Sequence, residues 1–304
     1  MTEWKKDRIE NLDRKKVIIT GGSSGIGFEA AKVLASRNAE LTLAVRNIKK
    51  GERAADAIRT LYPDTRVTVM LLDLADLSSI EKFAAKYIEK NNRLDILINN
   101  AGVMIPPYRK TRDGFELQFG TNHLGHFALT GRLLPLIIAT PQSRIVTVSS
   151  IATRKGMINF DNLDGSHGYN RMEFYRQSKL ANLLFAIELQ HRLERAGSGT
   201  ISVVCHPGIS ATNLVSMGSG REIGRLIKFL MRIIAQPAWQ GALPALYAAT
   251  KAGLKGGEYI GPDGPGNHRG YPVETDEAVN LFKQDVATKL WQVSEKLTGV
   301  TFPV

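Results

Sequence analysis

Short runs of apolar and β-branched residues alternate with longer segments of helical period along this chain. The runs cover 17–20, 41–45, 67–73, 96–99, 145–149 and 201–206, each short enough to be a buried strand. Helical patterns fill 26–37, 78–91, 122–138 and 175–195. Strand-helix alternation of this kind folds as an α/β doubly wound parallel sheet, Rossmann-like, with right-handed crossovers and helices on both faces. No internal repeat, low-complexity tract or linker divides the chain, so residues 1–304 read as one domain.

The first strand-to-helix junction adds a binding function to that scaffold. It reads Thr20-Gly21-Gly22-Ser23-Ser24-Gly25-Ile26-Gly27, after a predicted strand and at the start of a predicted helix. Glycines let a backbone turn tightly and approach a pyrophosphate, and the free N–H groups of a helix start can hold it. The blander alternative is a glycine turn that only packs helix on strand.

Composition narrows the function classes. Hydrophobic residues make up 43% and charged residues 23%, ordinary for a globular protein. The single cysteine, Cys205, cannot form an internal disulfide, in agreement with a reducing, cytoplasmic compartment. Residues 1–16 mix acids and bases without an apolar run of signal-peptide length, and no segment has the uninterrupted apolar length of a membrane span. The net charge of +11 is interspersed with acids and lacks aromatic interleaving, so it predicts a solvated basic surface and no nucleic-acid partner. Such a field also attracts anionic cofactors and membranes. No His, Cys or carboxylate cluster has metal-site spacing.

Tyr175 and Lys179 stand four residues apart in a helical segment and can share one face. A phenol has an ordinary pKa near 10, and a nearby ammonium favours the phenolate. Such a pair can exchange protons with a substrate, although in isolation it is more often a surface pair. At the end of the second strand an acid would accept a ribose 2′-hydroxyl and an arginine would pair with a 2′-phosphate. The chain reads Ala44-Val45-Arg46-Asn47 with no acid before Glu52. NADP(H) is the expected cofactor, with Arg46 as phosphate partner and Asn47 and Lys50 as helpers. The alternative is a solvated Arg46 and dual cofactor specificity.

The glycine turn, Asp73 at the third strand end, Asn99-Asn100-Ala101-Gly102, Thr121-Asn122-His123-Leu124-Gly125, Ser149-Ser150, Tyr175 and Lys179, and Pro207-Gly208 followed by Thr212 come in a distinctive order. In that order the chain resembles the short-chain dehydrogenases/reductases over essentially its whole length. The resemblance implies catalysis by Asn122, Ser150, Tyr175 and Lys179. Tyr175 would be the general acid or base in a hydride-transfer reaction between an alcohol and a carbonyl, and Ser150 would polarise the substrate oxygen. Lys179 would lower the tyrosine pKa and bind the nicotinamide ribose, and Asn122 would hold a water of a proton relay. Ser149 competes with Ser150, and either serine could merely satisfy a strand end. Asn122 could equally be a satisfied core amide, and His123, His126 and His206 read as packing or hydrogen-bonding residues. The implied cofactor contacts are Gly21, Ser23, Ser24, Gly25, Ile26, Gly27, Arg46, Asn47, Asp73, Leu74, Asn99, Ala101, Gly102, Tyr175, Lys179, Pro207, Gly208 and Thr212.

The 25 residues from Ser150 to Tyr175, with Asn159-Phe160-Asp161-Asn162-Leu163 between them, are similar to the retinol dehydrogenase and protochlorophyllide reductase branch. That branch handles bulky lipophilic substrates. The pigment reductases fit less well, because Cys205 is expected in the core. The motifs Gly257-Glu258-Tyr259-Ile260-Gly261-Pro262 and Arg269-Gly270-Tyr271-Pro272 resemble bacterial members of the branch that lack an assigned activity. Residues 209–240 would form a substrate flap, with Met217-Gly218-Ser219-Gly220 as hinge. Within it, 223–234 reads as a lid helix, or alternatively as a basic amphipathic helix touching an anionic membrane. The resemblance allows either a homodimer through the helices around Asn122 and Tyr175 or a monomer. A second class of function, a catalytically silent NADP-binding regulatory or scaffold protein, shares the fold.

Overall fold

A computed structural model describes residues 3–210 and 235–304. Its centre is one eight-stranded sheet in the order β3-β2-β1-β4-β5-β6-β7-β8. The strands are β1 (Lys16–Thr20), β2 (Glu40–Val45), β3 (Val67–Leu71), β4 (Ile96–Asn99), β5 (Arg144–Val148), β6 (Ile201–Cys205), β7 (Tyr259–Pro262) and β8 (Pro272–Thr275). Seven run parallel, and β8 pairs antiparallel with β7.

The expectation of a wholly parallel sheet is therefore corrected at one edge. Neither β7 nor β8 stands out in the sequence, because each is four residues long and carries proline or glycine. β8 is the edge strand, where proline is tolerated because one side of the backbone needs no ladder partner.

The six anticipated strands are apolar throughout because both faces of the sheet are covered. Val17 and Ile19 pack into the core on one face, and Ile18 into the core on the other. Ile96, Leu97 and Ile98 divide in the same way, as do Ile145 and Val146. The first face carries α1 (Gly25–Ala35), α2 (Ile48–Leu61) and the helix Leu243–Thr250. The second carries α3 (Leu77–Lys90), α4 (Gly125–Ile138), α5 (Arg171–Arg195) and the helix Gln284–Thr298. Cys205 is buried in the first core, where burial pushes its thiol up to about 12 and leaves it unreactive. Among the described residues no helix is long and apolar enough to cross a membrane.

At the opposite end from the glycine turn, Asp95 fastens the three central strands. Its carboxylate accepts from the Lys16 amide at 2.9 Å, from Lys15 Nζ at 3.1 Å and from Arg93 Nε at 2.9 Å. Its own amide donates to Lys16, and its carbonyl accepts from the Arg144 amide. Burial alone would push the Asp95 carboxyl up, but the bonds from Arg93, Lys16 and Lys15 outweigh it and the net shift is down.

Breaking a fully buried ion pair costs about 3–5 kcal/mol. Here the Asp95 side chain is 2% exposed but Lys15 and Arg93 are 36% and 38% exposed, so water recovers part of that cost. Asp95→Asn is expected to lower unfolding stability by about 2 kcal/mol at pH 7, read as a lower urea midpoint at unchanged slope. An unchanged midpoint contradicts the fastening role.

Candidate active site

The chain order reverses between β1 and β4, so the loops leaving their carboxyl ends diverge and open a crevice there. The crevice encloses about 380 Å³. Its floor is the glycine turn. Gly21 has φ +69° and Gly25 φ +57°, a region that favours glycine. A Cβ at Gly27 would lie 2.5 Å from Asn100 Nδ2 and 2.8 Å from the Gly21 carbonyl oxygen, so only hydrogen fits. Ser24 precedes α1 without a side-chain cap, and no acid stands in the first turn. The opening amides of α1 therefore face the crevice together with the positive end of the helix dipole.

The walls carry Arg46 and Lys50 on one side and Lys179 on the other, and Asp73 is the one carboxylate among the described lining residues. Glu52 lies within α2, 3.7 Å from Arg59. Asn47 lines the crevice, but its side-chain oxygen caps α2 by accepting from the Lys50 amide at 3.0 Å. A narrow cradle of uncapped amides with cations beyond it suits a dinucleotide bearing a further phosphate.

Of the other expected cofactor contacts, Ser23, Ile26, Leu74, Ala101, Gly102, Tyr175 and Pro207 line this crevice. Asn99 does not. It is fully buried, with Nδ2 donating to Thr130 Oγ1 at 2.9 Å, because β4 directs alternate side chains to opposite faces. Asn100 takes the lining position and donates to the Thr20 carbonyl at 2.8 Å.

Tyr175 and Lys179 occupy the same face of α5, at 5% and 4% exposure. Burial pushes the Tyr175 phenol up from its usual value, and a hydrogen bond from Ser150 partly opposes this. Lys179 was expected to lower the phenol; the net shift is in the other direction. Its ammonium instead donates to the Val148 carbonyl at 3.0 Å, and burial pulls the ammonium down to about 8. The two serines separate cleanly. Ser149 Oγ donates to the Lys179 carbonyl at 2.7 Å and supports α5. Ser150 accepts from the Ala152 amide at 3.1 Å and lines a second cavity with Tyr175.

Asn122 sits in a π-helical turn, Phe119–Leu124, that leads into α4. The extra residue of such a turn offsets the backbone and is frequent at functional sites. Asn122 Oδ1 accepts from the Val103 amide at 2.8 Å, while Nδ2 donates to the Val103 carbonyl at 2.9 Å and to Ser178 Oγ at 3.0 Å. Its amide thus brackets the segment after β4 that carries Gly102 and Val103 and fixes it to α5. Both amide hydrogens are used in this bracket, so the side chain has no donor left for a water.

The Asn122 main chain leads to residues whose role the sequence reading missed. The Asn122 carbonyl accepts from His126 Nδ1 at 2.9 Å, which places the proton of the neutral ring on Nδ1. His126 Nε2 then accepts from the Thr20 hydroxyl at 2.9 Å. The Thr20 oxygen in turn accepts from the amides of Asn100 and Ala101, both at 2.9 Å. Burial pulls His126 down to about 4, so the ring is neutral. His126 was correctly read as a hydrogen-bonding residue; the sequence did not reveal its partners.

The second cavity, about 390 Å³, adjoins the first and shares Ile26, Tyr175 and Pro207 with it. Gly208 lines it at φ +63°, where a Cβ would lie 2.3 Å from the His268 carbonyl oxygen. Ser210 and Gln236 form a parallel bridge at its edge. Thr212, the hinge 217–220 and the helix 223–234 lie outside the described residues.

Residues 15–220 match the family model described as short chain dehydrogenase. Retinol dehydrogenase 11 of Homo sapiens is 42% identical over 289 residues, 95% of this chain and 87% of the relative. Retinol dehydrogenase 12 of Mus musculus is 48% identical over 291 residues, covering 94% and 87%. A crystal structure of an uncharacterized protein from Mycobacterium paratuberculosis is 40% identical and superposes with a TM-score of 0.82 over 100% of both chains.

His126→Phe leaves the Thr20 hydroxyl and the Asn122 carbonyl short of a partner, at a cost of about 2–4 kcal/mol. It should also flatten the acid limb of stability. Burial pulls His126 down to about 4 and His123 and His206 to about 3, so the folded chain refuses protons that the unfolded chain binds near pH 6.5. Stability is complete above about pH 6.5 and falls below it, by up to about 1.4 kcal/mol per pH unit for each ring. Urea melts between pH 7 and 4, on the order of the range where these rings titrate, should show the variant's slope reduced by about one proton. An unchanged slope contradicts the assignment.

Proposed function

Since the chain belongs to the short-chain dehydrogenase family, in its retinol dehydrogenase-like branch, and is thereby an oxidoreductase acting on alcohols and carbonyls, we propose that it uses NADP(H) on a bulky lipophilic substrate. The observation that carries this reading is the shared wall of the two cavities. Tyr175 borders both the crevice with the phosphate-binding features and the cavity that holds Ser150.

The amides of the Gly21–Gly27 turn would hold the diphosphate, and Arg46 with Lys50 would pair with a 2′-phosphate. Lys179 would hold the nicotinamide ribose. The bound cofactor supplies or accepts the hydride. The substrate oxygen would lie between Ser150 Oγ, which polarises the carbonyl, and Tyr175 Oη, which gives up its proton as the alcohol forms. A phenol with an ordinary pKa near 10 already holds its proton at neutral pH, the form needed for reduction, and burial acts in the same direction. Asn122 is a positioning residue, acting through Val103 and Ser178. The apolar lining of the second cavity by Met104, Ile151, Met172 and Ile209 supports a lipophilic substrate.

Tyr175→Phe should reduce kcat for carbonyl reduction by about 10²–10⁴, the usual worth of a general acid, with little change in NADPH binding. If the full chain bound NADPH but turned over no aldehyde, ketone or alcohol, the silent cofactor-binding reading would take its place.

Arg46→Ala should raise KM for NADPH about tenfold, equivalent to about 1.4 kcal/mol, and leave KM for NADH in place. A wild-type preference for NADH in kcat/KM, or unchanged NADPH affinity in the variant, contradicts the cofactor assignment.

A further inference from the structure

The second cavity is lined both by apolar side chains and by cations. On α5, Met172, Tyr175 and Arg176 fall at positions i, i+3 and i+4, one continuous face. Arg176 thus borders the cavity beside the proton donor, at intermediate exposure. The turn Ile151–Lys155 contributes Arg154 and Lys155 to the lining, and the strand-connecting segment before β8 contributes His268.

These cations are not equivalent. Arg154 is held by both carboxylate oxygens of Glu277 and by Asn267 Oδ1 at 2.9 Å, so its charge is balanced. Lys155 and Arg176 take part in no ion pair among the described residues. No carboxylate is among the described residues that line the cavity. Lys155 is exposed and Arg176 intermediate, so a neutral lipid would gain little from either cation, whereas an amphiphile with a terminal anion would pair with them while its chain met the apolar lining.

We propose that the substrate is an anionic amphiphile: an alkyl chain with the reacting carbonyl or alcohol at one end and a carboxylate at the other, met by Lys155 and Arg176. The inference rests on the proposed function and deepens it. Reduction gives a hydroxy acid, with the hydride added at carbon and the Tyr175 proton at oxygen, and leaves the carboxylate untouched.

Two measurements test it. The full chain is saturated with NADP⁺, so that the neighbouring cationic crevice is filled. It is then titrated calorimetrically with octanoate and with octanamide, its neutral counterpart. At low salt octanoate should bind about fivefold tighter, a margin that added salt narrows and that the pair Lys155→Gln and Arg176→Gln removes. Equal affinities, or tighter octanamide, overturn the proposal. In the second measurement, ω-oxo fatty acids of graded length are compared with n-alkanals of equal length as substrates with NADPH. A higher kcat/KM for the oxo acids supports it. Turnover of alkanals without that preference overturns the inference alone, and no turnover of either class overturns the proposed function and this substrate with it.

Discussion

The hydroxyl of Thr20 is the joint of the site. It ends β1, donates to a ring on α4 and receives two amides from the loop after β4. Three segments far apart in sequence therefore meet on one oxygen with every bond near 2.9 Å. The glycine turn can approach a phosphate only if Asn100 and Ala101 stay where Gly21 and Gly27 leave room for them. The Asn122 bracket has the same geometry on the other side, where Val103 and Ser178 are held by one amide. The glycine-floored crevice and the helix that carries Tyr175 are thus two ends of a single buried polar network. Such networks are rigid when every member is satisfied and costly when one is not.

At Tyr175 and Lys179 burial outweighs pairing, the reverse of the balance at Asp95. An ammonium four residues from a phenol suggests a lowered phenol pKa, yet both groups lie inside α5, where desolvation favours their neutral forms. The lysine satisfies itself on the Val148 carbonyl, and the phenol keeps its proton. Spacing shows that two residues can share a face; it does not show which neighbour each will choose.

The sequence was most legible where burial on both faces forced apolar runs, as in β1, β4 and β5, and where glycine was required by φ or by contact, as at Gly21 and Gly27. It was least legible at the edge, where β7 and β8 are too short and too rich in proline and glycine to carry a period. The choice of Asn99 over Asn100 failed for a related reason. Adjacent identical residues at a strand end differ only in the face they meet, and register decides that. Thr20 and His126 were hidden because a hydrogen-bonding chain between distant elements has no local pattern. Ser149 and Ser150, also adjacent, meet different surroundings, Ser149 the crevice and the Lys179 carbonyl and Ser150 the second cavity.

The Ser210–Gln236 bridge has an evolutionary reading. The described chain beyond β6 reaches Ser210 and resumes beside it at Gln236, so the two anchors are held together. Closing a loop across fixed anchors costs only about 0.6 kcal/mol for each doubling of its length. Lengthening, shortening or exchanging that insert would leave the Thr20 joint and the Asn122 bracket intact. The described fold on either side of that bridge can therefore be conserved independently of what joins it.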